Sequence, residues 1–251
     1  MHNAINICTI GKKTYDIVEN WYNLSNNSNY VFSKIVDCTN FDELKDGFKY
    51  TEQDIRDNFK FNLNVSKKHY WNSEGNRNIV WFYAHFRMLN FYLKHPYFDY
   101  YWFFDDDVKI DDWEKFLIEV DKDYSDFISY FIFKGKDIKE YEHIPTIDSN
   151  TTSDTVWFER FPGDQDNLPE NIDNIFGSFF PINRYSNSAM KYLYELTLKG
   201  YHGYGEGFVP TVLANKGFSI TSLYDKLHNS NLFDTSNKIL HKNSIIKWEW
   251  I

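Results

Sequence analysis

The chain has 251 residues, a formal net charge of −9 and an aromatic content of 20%. A chain of this length can bury one large α/β core, and nothing in its composition demands a second domain. The negative charge and the lack of a large Lys and Arg cluster argue against a nucleic-acid partner, because a nucleic-acid groove needs a basic surface.

Cysteine usage and hydropathy predict where the protein resides. Only Cys8 and Cys38 occur, each in or at the end of an apolar run, as expected of buried, reduced thiols. No signal-peptide pattern is present at the start, and no stretch approaches the roughly 18 apolar residues that cross a membrane. We therefore expect a cytoplasmic protein. Trp248 and Trp250 leave open a peripheral contact with the inner face of the cell membrane, although packing onto the body is favoured.

The first part of the chain alternates between strand and helix patterns. Strands are predicted over 4–10 and 30–38, with helices over about 14–24 and 41–48. Strand, helix and strand at this spacing predict a parallel sheet covered by helices. Ligands of such sheets bind beyond the carboxyl ends of the strands, so Thr9, Gly11 and Asp37 are expected at one edge.

A polar turn over 71–78 precedes a strongly patterned helix predicted over 79–94. Arg77 lies at the entrance to this helix, where its guanidinium and the free N–H groups can meet a phosphate. His85 falls on the apolar stripe and is expected to be a core residue rather than a ligand.

The central motif is a run of five aromatic residues over 100–104 followed by Asp105, Asp106 and Asp107. The run predicts a strand buried on both faces, and three adjacent acids indicate a cation that neutralises them. Because alternate residues of an extended chain point the same way, Asp105 and Asp107 can approach one ion, and oxygen ligands suit Mg²⁺ or Mn²⁺. The alternative is a solvated loop opening the next helix, where Asp111 and Glu114 form a capping box.

The second part of the chain predicts a helix over 112–120, a strand over 126–133 and a long polar loop over 134–174. A strand over 176–182, a helix capped by Ser186, a short helix over 209–214 and a strand over 218–224 follow. Between 200 and 207, four glycines surround Glu206. They predict a tight turn that presents this carboxylate for catalysis or binding, with a flexible connector as the alternative.

Three features occur in order along the chain, namely a strand ending in Asp-x-Asp, a glycine-rich segment with an acid and a late histidine. In this set of features the chain resembles the nucleotide-sugar-dependent glycosyltransferases of the GT-A fold. The resemblance implies a single Rossmann-like α/β domain over 1–251, with a mostly parallel central sheet and helices on both faces. It assigns about 1–110 to nucleotide binding and about 111–251 to the acceptor and the C-terminal tail.

The resemblance also implies a set of site residues. Its metal ligands, for Mn²⁺ or Mg²⁺, are Asp105, Asp107 and His241, with His241 matching a histidine that completes metal or diphosphate binding in many members. The turn at 76–78 resembles the stretch before the central helix of the large family-two enzymes. The implied nucleotide-sugar contacts are Thr9, Gly11, Asp37, Arg77, Asp105, Asp106 and Gly205.

The implied activity is metal-dependent transfer of a sugar from a nucleotide-diphosphate donor, with a UDP-sugar favoured, to a hydroxyl of a glycan or lipid-linked acceptor. Such an enzyme would serve cell-surface polysaccharide or lipopolysaccharide synthesis. Inverting members usually have Glu-Asp where this chain has Glu206 and Gly207. Glu206 as the base is the favoured interpretation. A base supplied elsewhere and a retaining enzyme stay open.

Two other functions are compatible with parts of the sequence. A phosphohydrolase of the haloacid-dehalogenase type also carries Asp-x-Asp after an apolar strand. Its motif normally lies on the first strand and continues to Thr or Val where this chain has Lys109. A non-catalytic carbohydrate-binding protein would explain the aromatic residues but not the central acids.

Overall fold

The computed structural model describes residues 3–9, 30–39, 47–59, 84–105, 108–110, 113–134, 174–203, 205–223 and 239–241. Its strands are β1 (Asn3–Thr9), β2 (Tyr30–Asp37), β3 (Phe48–Tyr50), β4 (Tyr100–Asp105), β5 (Val108–Ile110), β6 (Phe127–Lys134), β7 (Phe176–Ser186), β8 (Ile220–Ser222) and β9 (Ile239–His241). The helices within these residues are α1 (Glu52–Phe59), α2 (Ala84–Lys94), α3 (Trp113–Val120), α4 (Asn187–Leu198) and α5 (Gly205–Lys216).

Seven strands form one sheet in the order β3-β2-β1-β4-β7-β6-β8. Strands β3, β2, β1 and β4 are parallel neighbours. Strand β7 is antiparallel to both β4 and β6, and β8 is parallel to β6, so only β7 is reversed within this sheet. The predicted α/β fold with a mostly parallel central sheet is therefore confirmed.

Side chains of β4 alternate between two cores, one on each face of the sheet. Tyr101 and Phe103 are buried with residues of α2, α4 and α5. Trp102 and Phe104 are buried with residues of α3 on the other face, where both rings contact Phe116. Four of the five β4 rings are almost inaccessible to solvent, as the aromatic run predicts, and Tyr100 at the start of the strand is half-buried. Helices on both faces are therefore confirmed.

Several predicted elements agree with the structure to within about a residue. These are the strands β1, β2, β4 and β6 and the helices α3 and α4. Ser186 is the N-cap of α4, and its side chain accepts a hydrogen bond from the Ala189 N–H at 3.1 Å. Helix α2 ends at Lys94 as predicted. His85 is a core residue, 1% exposed and stacked on Phe208 with a centroid distance of 5.5 Å.

Other predictions were wrong in part. Phe48 lies in β3 rather than at the end of a helix, because β3 pairs with β2 at the edge of the sheet. Strand β7 continues to Ser186, and β8 is limited to three residues. Neither cysteine forms a disulfide, as expected, but only Cys8 is fully buried.

Helix α1 has no counterpart in the predictions. It begins at a reciprocal cap in which the Thr51 N–H donates to Asp54 Oδ2 at 2.7 Å and the Asp54 N–H donates to Thr51 Oγ1 at 3.2 Å. Only Ile55 and Phe59 bury side chains from this helix, so its apolar stripe is short. The pattern of Thr followed three residues later by Asp was the signal in the sequence.

The segment around Glu206 is helical rather than a glycine-rich turn. Helix α5 begins at Gly205 and contains Pro210 in its interior, whereas the prediction began this helix near 209. Pro210 has no N–H to donate to the Glu206 carbonyl one turn earlier. The Ser178 hydroxyl of β7 donates to that carbonyl at 3.1 Å instead. A side chain from the sheet thus supplies the donor that the proline lacks.

The predicted helix over 14–24, most of the loop over 134–174 and the residues at 71–83 lie outside the described residues. Among the residues that are described, no helix is long and apolar enough to cross a membrane.

Candidate active site at the carboxyl edge of the sheet

The carboxyl ends of β1, β2 and β4 meet at one edge of the sheet. In the register, Cys8 lies between Ile35 of β2 and Asp105 of β4. Thr9 then pairs with Val36, and Asp37 follows as the last residue of β2. The sequence pattern predicted this shared edge for Thr9, Asp37 and Asp105, because ligands of such sheets bind beyond the carboxyl ends of the strands.

Asp105 ends β4 and forms an ion pair with Arg87 of α2. Arg87 Nη2 lies 2.5 Å from Asp105 Oδ1, and the side chains are 8% and 31% exposed. Asp105 belongs to the face of β4 that carries Tyr101 and Phe103, which is the face that α2 covers. Strand β4 thus brings Asp105, the first acid of the motif, into contact with the buried guanidinium of Arg87 at the edge of the sheet.

Neutral aromatic side chains surround this ion pair. Burial raises the pKa of Tyr50 well above its usual value, and the charge of Arg87 only partly opposes this effect. Tyr185 behaves in the same way. Burial acts to lower the pKa of Arg87, but Cys8, Asp105 and Tyr50 together outweigh it and raise the pKa. Arg87 is therefore a permanent buried cation beside two phenols that stay protonated.

Asp37 organises the chain that follows β2. Its Oδ1 accepts hydrogen bonds from the Thr39 N–H at 2.9 Å and from the Thr39 hydroxyl at 2.6 Å. Thr39 Oγ1 in turn accepts a hydrogen bond from the Glu52 N–H at the start of α1, at 2.9 Å. Asp37 is buried at this corner, so its visible role is to hold the turn between the sheet edge and α1.

Glu206 lies in the first turn of α5, 9% exposed. Its Oε1 accepts a hydrogen bond from the Phe180 N–H of β7 at 3.0 Å, and its carbonyl accepts the Ser178 hydroxyl described above. Phe104 pairs with Ile182 in the antiparallel register, so Phe180 lies beyond the end of β4. Strand β7 therefore holds Glu206 at the same edge of the sheet as Asp105.

Gly205 is required for the close approach of α5 to α2. A Cβ atom at this position would lie 3.0 Å from His85 Nδ1 and 3.0 Å from a ring carbon of Phe180. Both neighbours are themselves buried, so neither can move away easily. The glycine therefore sets how deeply Glu206 sits against β7.

The C-terminal strand β9 returns to the central motif. It pairs antiparallel with β5, and His241 lies opposite Val108 in the register. Opposed residues of such a pair have Cα atoms about 4.5–5.5 Å apart. His241 is thereby paired with the residue that follows Asp107 in the sequence.

Four predicted site residues lie outside the described residues, namely Gly11, Arg77, Asp106 and Asp107. Within the described ranges, no group of three or more His, Cys, Asp or Glu side chains is close enough to hold a metal. Asp105 still fits a hard divalent cation, because it is a half-exposed carboxylate at a sheet edge and such cations prefer oxygen ligands.

Arg87 and Ser178 are the residues at this edge that the sequence analysis did not identify. A signal for Arg87 was available, since it is a charged residue within the mostly buried part of α2 and a buried charge needs a partner. Ser178 carries no comparable signal, because its importance comes from a proline that lies 32 positions away in sequence.

Fold and site together define an α/β protein with carboxylates gathered at the carboxyl edge of a mostly parallel sheet. No model of a known protein family matches the chain, and no curated protein matches it in sequence. Among solved structures, core-mannan synthase A (CmsA/Ktr4) of Aspergillus fumigatus, in its Mn/GDP form, is similar with a TM-score of 0.37 and 11% identity, over 89% of this chain and 73% of that one. A likeness at this level does not bear on activity, so the function proposed below rests on this chain's own residues.

Proposed function

We propose that the protein is a metal-dependent glycosyltransferase of the GT-A type that moves a sugar from a nucleotide-diphosphate donor to an acceptor hydroxyl. The observation that carries the proposal is that β4 ends at Asp105 while β7 holds Glu206 beyond the end of that strand, with β9 paired to β5 directly after the motif. This reaction needs one group on the leaving side of the sugar and another on the attacking side.

On the leaving side, Asp105, Asp107 and His241 would hold Mn²⁺ or Mg²⁺. When bound, such a cation acts as a Lewis acid and template for the charge that develops on a departing diphosphate. The register between β9 and β5 supports the inclusion of His241, because it brings this residue next to the Asp-x-Asp motif.

The remaining predicted contacts form the donor-binding part of the proposal. These residues are Thr9, Gly11, Asp37, Arg77, Asp106 and Gly205. Two strand ends support it, because Thr9 and Asp37 share the edge with Asp105. A UDP-sugar is the favoured donor.

On the attacking side, Glu206 takes the proton of the acceptor hydroxyl as its oxygen attacks the anomeric carbon. The bond between that carbon and the diphosphate oxygen breaks, and the nucleotide diphosphate leaves with the bonding electrons. The Phe180 N–H fixes the Glu206 carboxylate, and the first turn of a helix stabilises a negative charge. With Glu206 as the base, the enzyme is inverting. The proposed acceptor is a glycan or lipid-linked molecule in cell-surface polysaccharide or lipopolysaccharide synthesis. The proposed location is the cytoplasmic side of the membrane.

A thermal-shift screen of UDP, GDP, TDP and CMP, each with and without Mn²⁺, tests the proposal. A ligand present at 100 times its Kd stabilises the folded state by about 2.7 kcal/mol, so one diphosphate with Mn²⁺ should raise the melting temperature clearly. Release of that nucleotide diphosphate from its sugar conjugate then separates a transferase from a binding protein. Release of phosphate from simple esters, with no nucleotide effect, would instead indicate a hydrolase.

A further inference from the structure

Arg87 is a buried cation whose partner lies at the candidate active site. The Arg87 side chain is 8% exposed, and its Nη2 contacts Asp105 Oδ1. The side chain of Asp105 is 31% exposed. A buried guanidinium is costly unless a carboxylate compensates it. This buried ion pair lies at the carboxyl end of β4, where Asp105, the first acid of the motif, is the last residue of the strand.

Arg87 is the more buried member of the ion pair. Tyr50 and Tyr185 are almost fully buried, and both interact electrostatically with Arg87. Because closely packed side chains move less freely than exposed ones, the buried guanidinium is the more fixed partner and Asp105, at the edge, is the partner that it orients.

We propose that Arg87 is a positioning residue, whose ion pair with Asp105 sets the affinity of the carboxyl edge for a divalent cation and a nucleoside diphosphate. The proposal rests on the function proposed above. Arg87 donates to Asp105 Oδ1 and thereby holds this oxygen toward α2. Partners of this kind typically change metal affinity about 10- to 100-fold when they are replaced.

Arg184 provides a matched control. It is also a buried arginine, 1% exposed, but it donates to the carbonyls of Val120, Asp123 and Ser125 and lies 4.4 Å from the Tyr100 ring centroid. Arg184 pairs with Trp102, and its guanidinium lies over Tyr100 at the start of β4, whereas Asp105 ends this strand. Replacing Arg184 should disturb packing without affecting the site.

The experiment titrates Mn²⁺ into the full chain and counts free ions by electron paramagnetic resonance, alone and with UDP or GDP. Arg87→Lys keeps the charge but loses the planar fork of the guanidinium. We expect Arg87→Lys to weaken Mn²⁺ binding about 10- to 100-fold and Arg184→Lys to change it less than about twofold. If Arg87→Lys does not fold, Arg87→Gln is used, and a smaller weakening is expected, because the loss of a positive charge beside Asp105 favours cation binding and opposes the loss of positioning.

A double-mutant cycle identifies the route of the effect. In an Asp105→Asn background, Arg87→Lys should add no further loss of Mn²⁺ affinity, because the carboxylate that it orients is gone. If Arg87→Lys binds Mn²⁺ as the unmodified protein does, or if its effect persists in the Asp105→Asn background, the positioning role is refuted while the proposed function stands. If the unmodified protein does not bind Mn²⁺, either alone or together with UDP or GDP, both proposals are refuted.

Discussion

The hydrogen bond from Ser178 to the Glu206 carbonyl can be tested by a substitution that removes only the donor. Ser178→Ala deletes a buried hydroxyl, 1% exposed, and leaves the carbonyl without the donor that compensates for Pro210. Removing one partner of a buried hydrogen bond costs about 1–3 kcal/mol, because the remaining group stays desolvated. Urea unfolding should show this loss in the midpoint, with an unchanged dependence on denaturant.

The proline makes the prediction specific. In a Pro210→Ala background, residue 210 gains an N–H that can donate to the Glu206 carbonyl in the ordinary helical pattern. Ser178→Ala should then cost at least about 1 kcal/mol less than it does beside Pro210. Ser129→Ala is the control, because Ser129 donates to the Phe179 carbonyl at 2.7 Å and should cost the same in both backgrounds. An equal cost of Ser178→Ala with and without Pro210 would refute the compensation.

Three further predictions concern the site and the core. Glu206→Gln should lower turnover by about 10²–10⁴ and leave nucleotide binding intact, as measured by product release and calorimetry; full activity would exclude Glu206 as the base. Asp107→Asn should abolish metal-dependent nucleotide binding, and unchanged binding would remove this residue from the metal site. Burial, assisted by the charge of His202, lowers the pKa of His85 from 6.5 to about 3. The unfolded chain therefore binds a proton that the folded protein does not, and stability falls as the pH decreases from about 6.5 toward 3, by about 1.4 kcal/mol for each pKa unit. His85→Phe should flatten that decline in urea unfolding between pH 7 and pH 4, and an unchanged slope would contradict the assignment.

Local patterns predicted the parts of the fold that depend on local chemistry. The aromatic run before Asp105 predicted a doubly buried strand because only such a strand hides rings on both faces. Ser186 predicted the start of α4 because a serine hydroxyl at the N-cap accepts a hydrogen bond from a backbone N–H in the first turn of the helix. The edge shared by Thr9, Asp37 and Asp105 followed from the rule for parallel strands.

The features that were not predicted depend on contacts between distant parts of the chain. Glycines around Glu206 indicated a turn, yet α5 begins there because Ser178 replaces the missing proline donor and Gly205 packs against His85. Helix propensity counts Gly and Pro as unfavourable and cannot include a donor from another strand. Strand β7 likewise extends to Ser186 because it pairs with both β4 and β6.

Two buried arginines, Arg87 of α2 and Arg184 of β7, interact with opposite ends of β4. Arg184 donates to three backbone carbonyls at the end where β4 begins, and its ion-pair partner Asp123, 3.9 Å away, is only 12% exposed. Arg87 meets instead a carboxylate that remains half exposed at the edge where β4 ends. A fold that needed Arg87 only for packing would gain more from an apolar residue of similar volume, since buried ion pairs are weak contributors to stability. The exposure of Asp105, rather than the presence of an ion pair, is thus the feature that connects α2 to the proposed chemistry.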